Sequence, residues 1–192
     1  MTKINQKAEV MVFMKLYCTP LHGQDGRKTV YSLLEYAFRT EYGETLPEIK
    51  KTPNGKPYFL TRADMHFSLS HTKTHVLCAL SNTPVGVDME SPRVISPRAV
   101  KFFASAEELS MFEPLDLWVL KESYIKLTGD RLMSVTKLRF SRQGDTIITP
   151  DEMVSAKLYH IDGCRAAVCA LDSDSPSSIE LVNSSCDLFG LA

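Results

Sequence analysis

The chain has 192 residues, of which 44% are hydrophobic and 23% charged, the balance of an ordinary folded domain; this excludes a collagen-like, low-complexity or wholly disordered chain. Lys and Arg number 22 against 23 Asp and Glu, a formal net charge of -1, so any phosphate site has to be local, and neither nucleic acid nor an anionic membrane is favoured as a partner. Five cysteines without a CxxC pair (Cys18, Cys78, Cys164, Cys169 and Cys186) read as free buried thiols in a reducing cytoplasm. No apolar stretch approaches the roughly 18 residues of a membrane span.

In chain order, Val10 to Met14 predicts a short buried strand. Asp25 to Tyr42 predicts a helix, because Val30, Leu33, Leu34, Ala37 and Phe38 recur at helical spacing and Gly43 is a natural stop. Thr52 to Pro57 is a turn-rich loop. Three short strands follow: His66 to Ser70, His75 to Leu80, and Val85 to Met89. Ser96-Pro97 has the composition of an N-cap followed by proline at the first helical position, and Ser105 with Glu108 fits a capping box. Pro114 can open a helix running through Leu117, Trp118, Leu120, Tyr124 and Leu127, with Gly129 to end it. Lys137 to Phe140, Thr146 to Ile148, Ala156 to His160 and Ala166 to Leu171 predict strands. From Asp172 the Ser- and Asp-rich tail reads as partly ordered at best.

Val76-Leu77-Cys78-Ala79-Leu80-Ser81 resembles Ala167-Val168-Cys169-Ala170-Leu171-Asp172, and the helices centred near Leu34 and Lys121 are offset by a similar number of residues. This predicts an α+β fold made of a pseudo-twofold pair of similar halves, each a small antiparallel sheet packed with a long helix. The halves would be residues 1–92 and 93–192, in one compact unit.

Four short motifs could carry chemistry. In Gly86-Val87-Asp88-Met89-Glu90, strand alternation puts Asp88 and Glu90 on one face and Val87 and Met89 on the other. Neighbouring carboxylates repel unless they are solvated or share a hard cation such as Mg²⁺. In Trp118-Val119-Leu120-Lys121-Glu122-Ser123-Tyr124-Ile125-Lys126, the residues Trp118, Glu122 and Lys126 form one helical stripe beside an apolar one. A simple Glu122–Lys126 pair at i, i+4 is the plain structural alternative. Phe67-Ser68-Leu69-Ser70-His71 alternates like a half-buried strand that delivers Ser70 and His71 to its end. His71 and His75 lack a third soft ligand for zinc, and Ser70 lacks a nucleophile elbow. Asn54-Gly55-Lys56-Pro57 presents a lysine on a turn without being a P-loop, and Arg27 and Lys28 lie near a helix start.

In this order and spacing the four motifs resemble the Sfp-type 4'-phosphopantetheinyl transferases, over Arg27 to about Leu171. The resemblance implies two α+β halves with the active site between them. It also implies transfer of the phosphopantetheine arm of coenzyme A to a serine of an acyl or peptidyl carrier protein, releasing adenosine 3',5'-bisphosphate. By position, Asp88, Glu90 and Glu122 would be ligands of Mg²⁺, with Mn²⁺ as an alternative, and Lys126 would contact the pyrophosphate. Glu122 is the leading general base, with Asp88 and Lys126 also in the catalytic set. Ser70, His71, Lys56 and a basic residue at Arg27 or Lys28 would hold the adenosine end near its 3'-phosphate. The chain departs from the family in its short front, since Leu16 to Gly26 contains no Lys or Arg. Two other readings use the same residues: a catalytically silent binder of coenzyme A or carrier, and a metal-dependent phosphodiester hydrolase. A cytoplasmic monomer is expected.

Overall fold

The computed structural model describes residues 13–171 and 178–182. In chain order these form β1 (Met14–Pro20), α1 (Gly26–Tyr42), β2 (Ile49–Lys51), β3 (Pro57–Phe59), β4 (His66–His71), β5 (His75–Ser81), β6 (Val85–Glu90), α2 (Pro97–Phe103), α3 (Ala106–Leu109) and α4 (Pro114–Thr128). A 3₁₀ turn (Leu132–Thr136) leads to β7 (Ser141–Gln143), β8 (Thr146–Ile148), β9 (Val154–Ile161), β10 (Cys164–Leu171) and β11 (Glu180–Leu181). One sheet has the order β11-β1-β5-β4 and a second the order β6-β10-β9, while β2–β3 and β7–β8 are separate hairpins. Pairing is antiparallel except between β1 and the two-residue β11. The class is therefore α+β, with small, mainly antiparallel sheets.

Alternation along the strands sorts the core into layers. On β5, Val76, Cys78 and Leu80 pack against Val30, Leu33, Leu34 and Phe38 of α1. The intervening Leu77 and Ala79 pack with Val87 and Met89 of β6 and with Ala166, Val168 and Ala170 of β10. The opposite face of β10, through Ala167 and Cys169, meets Leu117, Leu120 and Tyr124 of α4. The order is thus α1, first sheet, second sheet, α4. Being covered on both faces explains why β5 and β10 read as nearly continuous apolar runs. Cys18, Cys78, Cys164 and Cys169 are free and buried; Cys186 lies outside the described residues.

The helix punctuation is where the sequence puts it. Asp25 caps α1 by accepting from the Arg27 and Lys28 amides at 2.9 and 3.1 Å, and Gly43 ends the helix at φ 66°. Ser96 caps α2 ahead of Pro97, and Ser105 with Glu108 forms a reciprocal capping box on α3. Gly129 ends α4 at φ 73°.

Two expectations are corrected. The first strand begins at Met14 and runs to Pro20, rather than ending at Met14; residues 10–12 lie outside the described ones. The turn-rich loop from Thr52 joins the hairpin strands β2 and β3, the second beginning at Pro57 and each too short to show a period. Lys137 to Phe140 is not a strand, because its backbone is satisfied by side chains instead of a neighbouring ladder. The Leu138 carbonyl accepts from Lys121 Nζ at 2.9 Å, and the Phe140 amide donates to Glu108 Oε1 at 3.1 Å. The tail expected from Asp172 lies mainly outside the described residues, but its Glu180 and Leu181 pair with Tyr17 and Cys18.

Lys121 is fully buried, and its ammonium lies 2.8 Å from Glu108 Oε1 while also donating to the Phe103 carbonyl at 2.5 Å. Burial alone would raise the Glu108 pKa, but Lys121 and the Ser105 and Phe140 amides together hold it below its ordinary value. This pair clamps α3 and the 137–140 segment to α4. Removing one partner strands a buried charge, so Glu108→Ala is expected to lower the unfolding free energy by about 3–5 kcal/mol, measured by urea denaturation.

Gly86 fixes the distance between β6 and α4. A Cβ at this position would run into the backbone of Ser123 and Leu127, coming within 2.9 Å of the Leu127 Cα. Because the obstacle is main chain, it cannot rotate away. Gly86→Ala is expected to cost at least ~3 kcal/mol by overpacking, and a Tm equal to the parent protein's would contradict the close approach.

Candidate active site

On β6, Val87 and Met89 face the core between the sheets, and Asp88 and Glu90 fall on the α4 side. The edge of β6 away from β10 is met by serine hydroxyls of β4 rather than by a backbone ladder. The Val87 amide donates to Ser68 Oγ at 3.0 Å and the Met89 amide to Ser70 Oγ at 3.1 Å. Ser70 Oγ in turn donates to Asp88 Oδ1 at 2.9 Å. Ser70 is therefore a buried strut that orients Asp88, and it does not line the cavity described below.

The helical stripe of α4 meets these two carboxylates. Lys126 Nζ lies 2.8 Å from Asp88 Oδ1 and donates to the Leu69 carbonyl at 3.2 Å. Trp118 Nε1 donates to Glu90 Oε1 at 3.2 Å. The simple Glu122–Lys126 pair is thus replaced by pairing across elements. Glu122 lies between these two contacts on the same stripe, and its Oε1 is buried with no hydrogen-bond partner. Burial first, then the Asp88 charge, push its pKa up to about 7; Lys126 opposes this and Glu90 adds to it.

A cavity of about 540 Å³ opens beside Lys126. Its wall brings together Arg27, Tyr31, Lys51, Lys56, His71 and Lys126. Arg27 sits on the first turn of α1, where backbone amides and the helix dipole favour anions, and His71 lies close to Gly26 at the same helix end. Lys28 is exposed at that helix start but does not line the cavity. Lys56 Nζ donates to the Leu127 carbonyl at 2.5 Å, and Asn54 Nδ2 donates to the Gly129 carbonyl at 3.1 Å, so the 52–57 turn is docked on the C-terminal end of α4. Burial lowers the Lys56 pKa. Lys51 is a cavity residue that the sequence reading missed; it pairs with Pro57 across the hairpin turn.

The oxygen-only donors Asp88, Glu90 and Glu122 suit a hard divalent cation. The buried, unpartnered Oε1 of Glu122, made costly to ionise first by burial and then by its carboxylate neighbours, fits a ligand that lacks its counter-charge. As they stand, no three His, Cys, Asp or Glu side chains among the described residues converge tightly enough to hold a metal ion. Side-chain cations occupy two of the carboxylates, Lys126 on Asp88 and Arg93 on Glu90, and these would have to yield. His71 and His75 do not pair; His75 instead bonds Thr74 and Asp162.

Acidic side chains and a lysine meet beside a cation-lined cavity, between a strand and a helix of an α+β fold, and the cavity's charges suit a phosphate ester. The comparisons make this specific. The chain is 30% identical over 183 residues to the 4'-phosphopantetheinyl transferase Sfp of Bacillus subtilis (strain 168), covering 84% of this chain and 82% of that protein. It is 31% identical over 144 residues to another Bacillus subtilis 4'-phosphopantetheinyl transferase, covering 66% of this chain and 64% of the relative. It is 28% identical over 179 residues to the 4'-phosphopantetheinyl transferase psf-1 of Bacillus pumilus, covering 82% and 77%. No family model matches. The chain belongs to the Sfp-type 4'-phosphopantetheinyl transferase family and is an enzyme of that type.

The raised Glu122 pKa has a consequence for stability. Its folded value of about 7 lies above the ordinary 4.5, so the ionised carboxylate opposes folding. That penalty is complete above pH 7, shrinks as pH falls and vanishes below about 4.5. Glu122→Gln is expected to stabilise the fold at pH 8 by on the order of 1–3 kcal/mol, allowing for partial solvent screening, and to change little at pH 4. Urea denaturation at both pH values tests this; an equal gain at both would refute it.

Proposed function

We propose that this enzyme transfers the 4'-phosphopantetheine group of coenzyme A to a serine hydroxyl of an acyl or peptidyl carrier protein, releasing adenosine 3',5'-bisphosphate. The serine oxygen forms a bond to phosphorus as the pyrophosphate P–O bond breaks, and the serine proton passes to a base. The observation that carries this reading is the meeting of Asp88, Glu122 and Lys126 beside a cavity lined by Arg27, Lys51, Lys56 and His71.

Asp88, Glu90 and Glu122 are the residues that would hold Mg²⁺ or Mn²⁺, which when bound would neutralise pyrophosphate charge and align the reacting group. Lys126 brings a positive charge to the cavity and would stabilise negative charge on the leaving phosphate. Glu122 would also be the group to accept the serine proton; such help is worth roughly 10²–10⁴ in rate. Ser70 holds Asp88 in place. Arg27 and His71, at the N-terminal end of α1, and Lys56 form the side of the cavity suited to the 3'-phosphate. Lys28 stands nearby as a longer-range positive charge.

The two-halves description, residues 1–92 and 93–192, is supported by Cys78 and Cys169. Each lies on an interior strand of its sheet, on the face packed against that half's long helix. On this reading β6 crosses over, pairing with β10 and carrying Asp88 and Glu90 to α4. We further read the protein as a cytoplasmic monomer acting on neither nucleic acid nor membranes. This is supported by the balanced charge and the four free buried thiols among the described residues. No helix among those residues is long and apolar enough to cross a membrane.

Intact-mass analysis of several apo carriers incubated with coenzyme A, with and without chelator, tests the reading. The expected result is addition of one phosphopantetheine mass that is lost with chelator. Asp88→Ala is expected to lower the rate by at least about 10²-fold. Normal modification by both Asp88→Ala and Glu122→Ala would overturn the site, and coenzyme A cleavage without any carrier would indicate a hydrolase.

A further inference from the structure

Glu90 is the most heavily engaged of the three acidic side chains. Arg93 donates to both of its oxygens, Nη2 to Oε1 at 3.0 Å and Nε to Oε2 at 3.2 Å, while Trp118 Nε1 adds a third bond to Oε1. A two-pronged guanidinium of this kind covers the carboxylate oxygens a divalent cation would use. Arg165 stands opposite Glu90 in the β6–β10 register, but its Nε lies 3.2 Å from Asp116 Oδ1, so Arg93 is the cation committed to Glu90. Arg93 belongs to the short link between β6 and α2, is about half exposed, and lines a separate cavity of about 370 Å³ with Pro92, Val94 and Ile95. Its side chain therefore has room to leave Glu90 without unpacking the core.

We propose that Arg93 is a built-in competitor for Glu90: it sets the affinity of the site for divalent cations, and cation binding moves its guanidinium off the carboxylate. This rests on the reading of Glu90 as a cation ligand. The competition is between one delocalised positive charge tethered three residues away and a free divalent ion. A guanidinium pair at a half-exposed position is weak enough to be displaced, yet strong enough to lower the apparent affinity.

Mn²⁺ binding to the full chain, read from the spectrum of the free ion by electron paramagnetic resonance, provides the test. Mg²⁺ titration followed through Trp118, the chain's single tryptophan and a direct partner of Glu90, gives a second readout. Arg93→Ala is expected to bind both ions roughly two- to fivefold more tightly than the parent protein. Arg93→Lys, which cannot bridge both oxygens, should fall between the two. Arg98→Ala removes the same charge from the exposed face of α2, which has no contact with Glu90, and should leave both affinities unchanged. Unchanged or weaker binding by Arg93→Ala overturns the proposal alone, as does equal tightening by Arg98→Ala. Failure of the parent protein to bind either ion would overturn the assignment of Glu90 and this proposal together.

Discussion

The site depends on how closely β6 and α4 approach at Gly86. Because that residue has no side chain, the helix backbone at Ser123 and Leu127 rests directly on the strand. The next two even-numbered strand positions, Asp88 and Glu90, then meet successive turns of the helix. Trp118 reaches Glu90, Lys126 reaches Asp88, and Glu122 lies between them on the stripe. A side chain at position 86 would separate the two elements and dissolve this correspondence, however well the acidic residues themselves were kept.

Close approach also concentrates charge. Three carboxylates around one helix face are tolerable because each is answered differently. Asp88 has Lys126 and the Ser70 hydroxyl, Glu90 has Arg93 and Trp118, and Glu122 answers its neighbours by holding its proton more tightly. The last solution is costly for folding, since burial and the neighbouring charges both oppose ionisation. Lys121, adjacent to Glu122 in sequence, is a separate matter. It points into the opposite side of the helix environment, where Glu108 and two carbonyls satisfy it completely. Two consecutive charged residues therefore face different surroundings, Lys121 satisfied within the fold and Glu122 near Asp88 with its Oε1 unpartnered.

Several features were legible because they are local. Asp25, Ser96, Ser105, Gly43 and Gly129 act through backbone groups within a few residues, so their helix boundaries follow from sequence alone. Strand alternation likewise assigned Asp88 and Glu90 to one face of β6. Lys137 to Phe140 misled the reading because its apolar alternation is real, but its backbone partners, Lys121 and Glu108, come from remote elements. Lys51 escaped notice because a three-residue strand carries no period, and the hydrogen bond of Ser70 to Asp88 joins two different strands, which no local pattern records.

The amino-acid order by itself determined the α+β class, the starts of the helices and the glycine stops of α1 and α4, and which residue types could act on a phosphate ester, since each follows from short-range geometry and side-chain chemistry. Only the tertiary structure decided which charges meet: Lys126 with Asp88 instead of Glu122, Lys56 with the end of α4, and Arg93 with Glu90. The reason is physical. Ion pairing and desolvation depend on distances between elements far apart in the chain, and those distances are set by packing, which no local pattern records.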